Sequence, residues 1–140
     1  MAVGAFCLVL HGHLPWVLHH GRWPHGEDWI YEAAARTWLP LIGVLRRLEA
    51  DGLEAAWTVG MTPVLLEQLD HPRFQDGFER YLLDRAERAR RDAVELEGRG
   101  DAHLAWLAAE HERLHVEMVE QFRALDRSIP QAMKIGRAHV

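Results

Sequence analysis

The chain of 140 residues has one cysteine, Cys7, so no internal disulfide can staple it and a small secreted cystine scaffold is excluded. It has no apolar run near the roughly 18 residues that a membrane helix requires. It has no surplus of positive charge. Sixteen Lys and Arg against 21 Asp and Glu leave a formal net charge of −5, which argues against gripping nucleic acid through a basic face. The first ten residues are apolar but carry no positive flank and no small-residue cleavage site, so they read as a buried strand, not a leader. A cytoplasmic location with no membrane or nucleic-acid partner is the expectation. Also absent are a Gly-rich phosphate loop, a Gly-x-Ser-x-Gly elbow and a Cys-x-x-Cys pair. Nucleotide-binding, serine-hydrolase and redox chemistry are therefore left without a motif.

What is present is foldable: 49% of residues are apolar and 26% charged, the balance of an ordinary domain or a piece of one. Six tryptophans and ten histidines are unusual. His11, His13, His19, His20 and His25, with Trp16, Trp23 and Trp29, crowd into the first 29 residues. A site is expected there.

The pattern along the chain alternates. Ala5-Phe6-Cys7-Leu8-Val9-Leu10 reads as a strand buried on both faces, as in a parallel sheet, with Cys7 inert and buried within it. A long loop from His11 to about Asp28 is punctuated by Pro15, Gly21, Pro24 and Gly26; loops of that length are functional more often than plain connections. Asp28 reads as the N-cap of a helix that Pro40 kinks or breaks, with a second piece over about 39–50 stopped by Gly52. Ala55–Val59 is a second strand, and Thr62-Pro63 caps a short helix over 64–69. Phe74, Phe78, Leu82, Ala86, Ala89, Ala93 and Leu96 mark one face of a helix from Pro72 to about Glu97. Asp101 caps another to about Asp126, striped by Leu104, Leu107, His111, Leu114, Met118, Phe122 and Leu125. With a three-residue joint, the two form an antiparallel hairpin at about 72–126. The fold class is α/β: two early parallel strands with a long helical hairpin.

His11 and His13 sit two apart at the C-terminal end of the first strand, where the strand period lets both side chains point one way. Three readings stand: contacts to a polar substrate, a zinc pair needing a third ligand, and ordinary loop residues. His111-Glu112-Arg113-Leu114-His115 matches the His-Glu-x-x-His pattern of zinc proteases, though His111 lies on the apolar stripe, where a core histidine is the commoner reading. Trp16, Trp23 and Trp29 can stack on flat sugar faces or fill the core under the loop; Trp38, Trp57 and Trp106 are expected to pack. Glu27-Asp28 is an acid pair at a helix start. Capping and helix-dipole complementarity are the favoured role of Asp28, because adjacent residues rarely converge as the two facing carboxyls of a retaining glycosidase do. The Arg85–Arg91 run reads as a solvated helix face.

Phe6-Cys7-Leu8-Val9-Leu10-His11-Gly12-His13-Leu14-Pro15-Trp16 resembles the first signature region of glycoside hydrolase family 57. The stretches Gly21–Ala33 and Gly60–Leu69 are similar to its 1,4-α-glucan branching enzyme branch, and the resemblance covers about residues 4–130. It implies an incomplete (β/α)7 TIM-like barrel followed by helical domains. It implies retaining double displacement on α-glucans such as amylose or glycogen, with a glutamate nucleophile, an aspartate acid/base and no metal or other cofactor. It implies substrate contacts from His11, His13 and Trp29; Trp23, Trp16 and Glu27 remain further candidates from the residues themselves. The catalytic glutamate and aspartate belong to later signature regions, so the chain alone is expected to be inactive. Hydrolysis or disproportionation of α-glucans by a family relative is the near alternative; a non-catalytic glucan-binding or helical interaction module is the alternative of another class.

Two strands alone do not make a stable sheet, so the domain at 1–134 reads as the N-terminal fragment of a barrel, prone to aggregate through open strand edges. Ile135-Gly136-Arg137-Ala138-His139-Val140 is what the adapter-like codons ATC GGA AGA GCA CAC GTC would encode. Residues 135–140 are expected to be a non-native tail on a truncated reading frame.

Overall fold

The end of the apolar run, Leu8–Gly12, forms the first strand, β1, with half-buried and exposed side chains in alternation, and Trp57–Met61 forms the second, β2. In the computed structural model, which describes residues 4, 7–53 and 57–134, the two pair in parallel, with Leu8 opposite Trp57 and His11 opposite Gly60. The ladder runs further than the apolar run predicts: His11 and Gly12 remain in it, whereas Ala5, Phe6, Ala55 and Ala56 lie outside the described residues. Burial on both faces does not hold. Leu8 and Leu10 are half-buried, but Val9 is 63% exposed and Cys7 is exposed, contrary to the inert, buried position expected for it. On one face of the sheet Leu8, Leu10, Trp57, Val59 and Met61 are half-buried, while on the other Val9, His11 and Thr58 are exposed.

Helix α1 (Glu27–Ala33) starts from Gly26, not from an Asp28 cap. Its first N–H groups are satisfied by loop carbonyls: Glu27 donates to Gly21 (2.8 Å) and Asp28 to Arg22 (3.1 Å). A Cβ at Gly26 would stand 2.1 Å from the Gly21 oxygen, so glycine is required where the loop closes on the helix. Asp28 turns its carboxylate to the Arg22 guanidinium at 2.9 Å. At Pro40 the helix neither stops nor breaks: a π-helical segment, Ala34–Trp38, leads directly into α2 (Leu39–Ala50). Pro40 then sits in the first turn of α2, directly after the π-helical turn in which the Leu39 N–H reaches back to the Ala34 carbonyl. Gly52, at φ +72°, ends the turn after α2.

Helix α3 (Pro63–Asp70) follows Thr62, and α5 (Ala102–Ala124) follows Asp101. Both flanking residues occupy cap positions, yet neither side chain accepts a helix N–H. His71 does: its Nδ1 accepts from the Arg73 N–H at 3.1 Å and opens α4 (Pro72–Gly98). A last short helix, α6 (Ile129–Met133), was not anticipated from the sequence; Ser128 caps it by accepting from the Gln131 N–H at 3.3 Å.

Helices α4 and α5 form the antiparallel hairpin. At its root Phe78 meets Phe122 edge-on at 4.9 Å and stacks on Phe74 at 5.2 Å. Phe74, Phe78, Leu82 and Ala86 are buried, as their spacing predicts. Towards the tip the stripe fails: Leu104, Leu107, His111 and Leu114 are exposed, and Trp106, expected to pack, is 58% exposed. Two helices facing each other through alanines (Ala89, Ala93, Ala105, Ala108 are half-buried) cover only a narrow seam. Full burial of an α5 stripe needs a third layer, which the hairpin root has in α1 and α3 against α4 and in α2 against α5. No helix among the described residues is long and apolar enough to cross a membrane.

Candidate functional site

The end of β1 presents the two histidines as the strand period predicts. His11 and His13 are both exposed, their rings 6.4 Å apart and within 8° of parallel. Gly60, opposite His11 in the ladder, carries no side chain that could shield it; its Cβ position lies 3.6 Å from His11 Nδ1. Two flat, exposed imidazoles, without a hydrogen-bond partner among the described residues, offer both hydrogen bonding and a stacking surface.

The segment after His13 alternates anchors and displayed rings. Leu14, Val17 and Leu18 enter the core, while Trp16 stays 40% exposed. The Trp16 indole N–H donates to the Leu18 carbonyl at 3.1 Å, and its ring meets the His71 edge at 6.5 Å. Trp29, on α1, is 43% exposed and has His25 as ring neighbour at 5.8 Å, so its contact is with the far end of the loop and not with the histidine pair. Trp23 is 80% exposed.

Two buried polar side chains hold this loop. Gln68 of α3 is fully buried; its Oε1 accepts from the Val17 N–H at 2.7 Å, and its Nε2 donates to the Pro15 carbonyl at 3.0 Å and the Val64 carbonyl at 3.3 Å. Glu27 is 7% exposed and accepts from the His19 N–H at 2.9 Å, the Tyr31 hydroxyl at 3.3 Å and Arg73 Nε at 2.5 Å. His19 needs that support, since its φ is +70°. Burial alone would push the Glu27 carboxyl up; the Arg73 guanidinium and the His19 and Tyr31 donors outweigh it and hold the group below its ordinary value. Burial beside that carboxylate raises the Tyr31 hydroxyl well above its usual range. Both Glu27 oxygens are engaged within the chain, which makes Glu27 a fastening of the loop. Gln68 and Arg73 were not legible as site residues: a glutamine among leucines carries no signal until the loop folds back across it.

The second histidine pair lies apart on the hairpin. His111 and His115 are one turn apart, rings 6.1 Å from each other. They line a groove of about 790 Å³ shared with Arg36, Arg85 and Arg88, away from His11, His13 and Trp29. His111 is exposed, not a core residue. Among the described residues no group of three or more His, Cys, Asp or Glu is gathered as a metal site, and neither histidine pair is joined by a third such side chain there. The Arg85–Arg91 face is solvated, with Arg90 and Arg91 paired to Glu87.

No family model matches the chain. A probable 1,4-alpha-glucan branching enzyme of Mycobacterium tuberculosis is 48% identical to it over 89 residues, 61% of this chain and 17% of that protein. The crystal structure of a GH57-type branching enzyme from the hyperthermophilic archaeon Pyrococcus horikoshii superposes with a TM-score of 0.80 at 27% identity, covering 91% of this chain and 23% of that one. In sequence and in fold the chain is similar to GH57 branching enzymes. It spans 17% of the length of the curated relative that it matches. The novel alpha-amylase AmyC from Thermotoga maritima has the same GH57-like architecture here, with a TM-score of 0.77 at 26% identity over 91% of this chain and 24% of that one. Early parallel strands with helices, resembling part of a TIM-like barrel, are thus common to this chain and both solved structures.

Proposed function

We propose that the chain is the first part of an incomplete (β/α)7 barrel acting on α-glucans by retaining glycosyl transfer, with formation of α-1,6 branches as the reaction. The observation that carries this reading is the pair of parallel, exposed imidazoles at the C-terminal end of a parallel strand, where α/β barrels place their chemistry. The similarity to branching enzymes supports the choice of reaction. In this reading His11 and His13 hydrogen-bond sugar hydroxyls near the cleavage point, and Trp29 stacks on a glucose face. Trp16 and Trp23 extend the wall, and Glu27 keeps the loop in place. Residues 1–134 belong to the barrel, with the hairpin at about 72–126 as an excursion from it. The nucleophilic glutamate and the acid/base aspartate are not among the carboxylates of this chain. No metal or other cofactor takes part.

The test is equilibrium binding of maltoheptaose to the chain, followed by tryptophan fluorescence, beside an amylose-turnover assay. Saturable binding that His11→Ala and His13→Ala each weaken about tenfold, with no turnover, is expected. Failure of the wild-type chain to bind would refute the glucan assignment, and turnover would refute the placement of the catalytic pair. The alpha-amylase likeness favours one second reading, hydrolysis or disproportionation in place of branching. Debranching-enzyme digestion of the product made by the whole enzyme separates the two, because only a branching enzyme leaves new α-1,6 linkages.

A further inference from the structure

We propose that Gln68 is a positioning residue that presents Trp16, and with it the loop after His13, to the sugar; the sugar contact itself rests on the glucan reading above. One amide brackets one tryptophan. Gln68 Nε2 donates to the carbonyl of Pro15 and Oε1 accepts from the N–H of Val17, so the residues before and after Trp16 are tied to the same side chain. The third bond, to the Val64 carbonyl, ties that amide back to its own helix, α3. Gln68 is wholly buried, and Leu14, Val17 and Leu18 are buried as well, so the Gln68 amide itself has no solvent contact to replace those bonds. Trp16 is left with its ring outward, its indole N–H spent on the Leu18 carbonyl and its edge against His71. A ring held this way before ligand arrives loses little freedom on binding, which is what a stacking platform requires. Position 68 demands an acceptor and a donor together, a pairing that leucine lacks altogether. A glutamate supplies it only when protonated, and burial favours the protonated form. The second βα unit thereby sets the geometry of a loop that belongs to the first.

The experiment compares the full wild-type chain with Gln68→Leu and Gln68→Glu through two readouts. One is hydrogen exchange of the Trp16 indole N–H by NMR, which needs no ligand; the other is maltoheptaose affinity. Gln68→Leu is expected to speed indole exchange and weaken binding, each on the order of tenfold. Gln68→Glu is expected to match wild type near about pH 5 and Gln68→Leu near about pH 8. Wild type is measured at both pH values, because the His71 and His19 rings, 6.0 Å apart, stand beside Trp16. Ile42→Val, a core change on α2, lowers the melting temperature and leaves both readouts unmoved. Unchanged indole exchange in Gln68→Leu overturns the proposal. So does a Gln68→Glu variant whose exchange is the same at both pH values, and this arm stands even where Gln68→Leu does not fold. If indole exchange responds but wild type binds no maltoheptaose, the positioning of Trp16 holds and the glucan reading falls.

Discussion

Two kinds of side chain meet in the first 30 residues, those that display and those that hold. His11 and His13 are exposed and tie nothing together, so replacing either with alanine should leave the melting temperature within about a degree while weakening maltoheptaose binding roughly tenfold. Calorimetry and fluorescence titration of the same samples check this. Glu27 is the opposite case. Glu27→Ala leaves the His19 N–H without its acceptor and should cost about 1–3 kcal/mol in denaturant unfolding. The pH dependence follows from the same contacts. The Glu27 carboxyl in the fold lies below the ordinary 4.5, so its contribution is complete above that value and is lost as pH falls through the lower folded value. Tyr31 acts at the other end: its hydroxyl is raised above the ordinary 10.0, so stability declines as pH rises past that point and the unfolded chain ionises. A urea series from acid to alkaline pH should show both flanks, and Glu27→Gln should flatten the acid one.

The hairpin is two structures in one. Its root is packed on three sides, and Phe78 there is fully buried against Phe74, Phe122 and Tyr31. Gly77 makes the approach of Tyr31 possible, since a Cβ there would fall 1.9 Å from the tyrosine hydroxyl oxygen. Phe78→Ala should therefore cost about 3–5 kcal/mol. Leu107→Ser near the tip, where the leucine is 39% exposed, should cost under about 1 kcal/mol. Urea midpoints of the two variants measure the contrast; equal losses would mean that the tip is packed as the root is. The heptad-like spacing on α5 was readable, but spacing reports only which residues share a face. It does not report whether anything lies against that face, which is why Leu104, Leu107 and Trp106 were expected inside and are found outside.

At the scale of the molecule the helices carry the core and the sheet carries the candidate site. Val9 stands 63% exposed on the exposed face of a two-stranded sheet, and such a surface favours association. Light scattering of the chain at rising concentration should show growth that Val9→Lys reduces. Amylose incubated with the pure chain should give no change in iodine staining, because the proposed catalytic carboxylates lie elsewhere; a change would place them among the acidic residues here.

Composition, periodicity and punctuation settled the order of elements. Gly, Pro and polar residues punctuate a chain locally, and an apolar run or stripe declares its period locally, so both strands, the helical stretch on either side of Pro40 and the hairpin were legible, whereas the π-helical passage that carries the chain through Pro40 unbroken was not. The parallel setting of His11 and His13 was legible for the same reason, since the period of two needs to persist only one residue past the end of β1. Tertiary structure alone decided what lies across from what. It buried Gln68 under Pro15 and Val17, and turned Glu27 inward to Arg73, 46 residues away. It left Cys7 and Trp106 outside. Those outcomes depend on which distant backbone arrives to satisfy a polar group or cover an apolar one, and a linear pattern carries no record of that arrival.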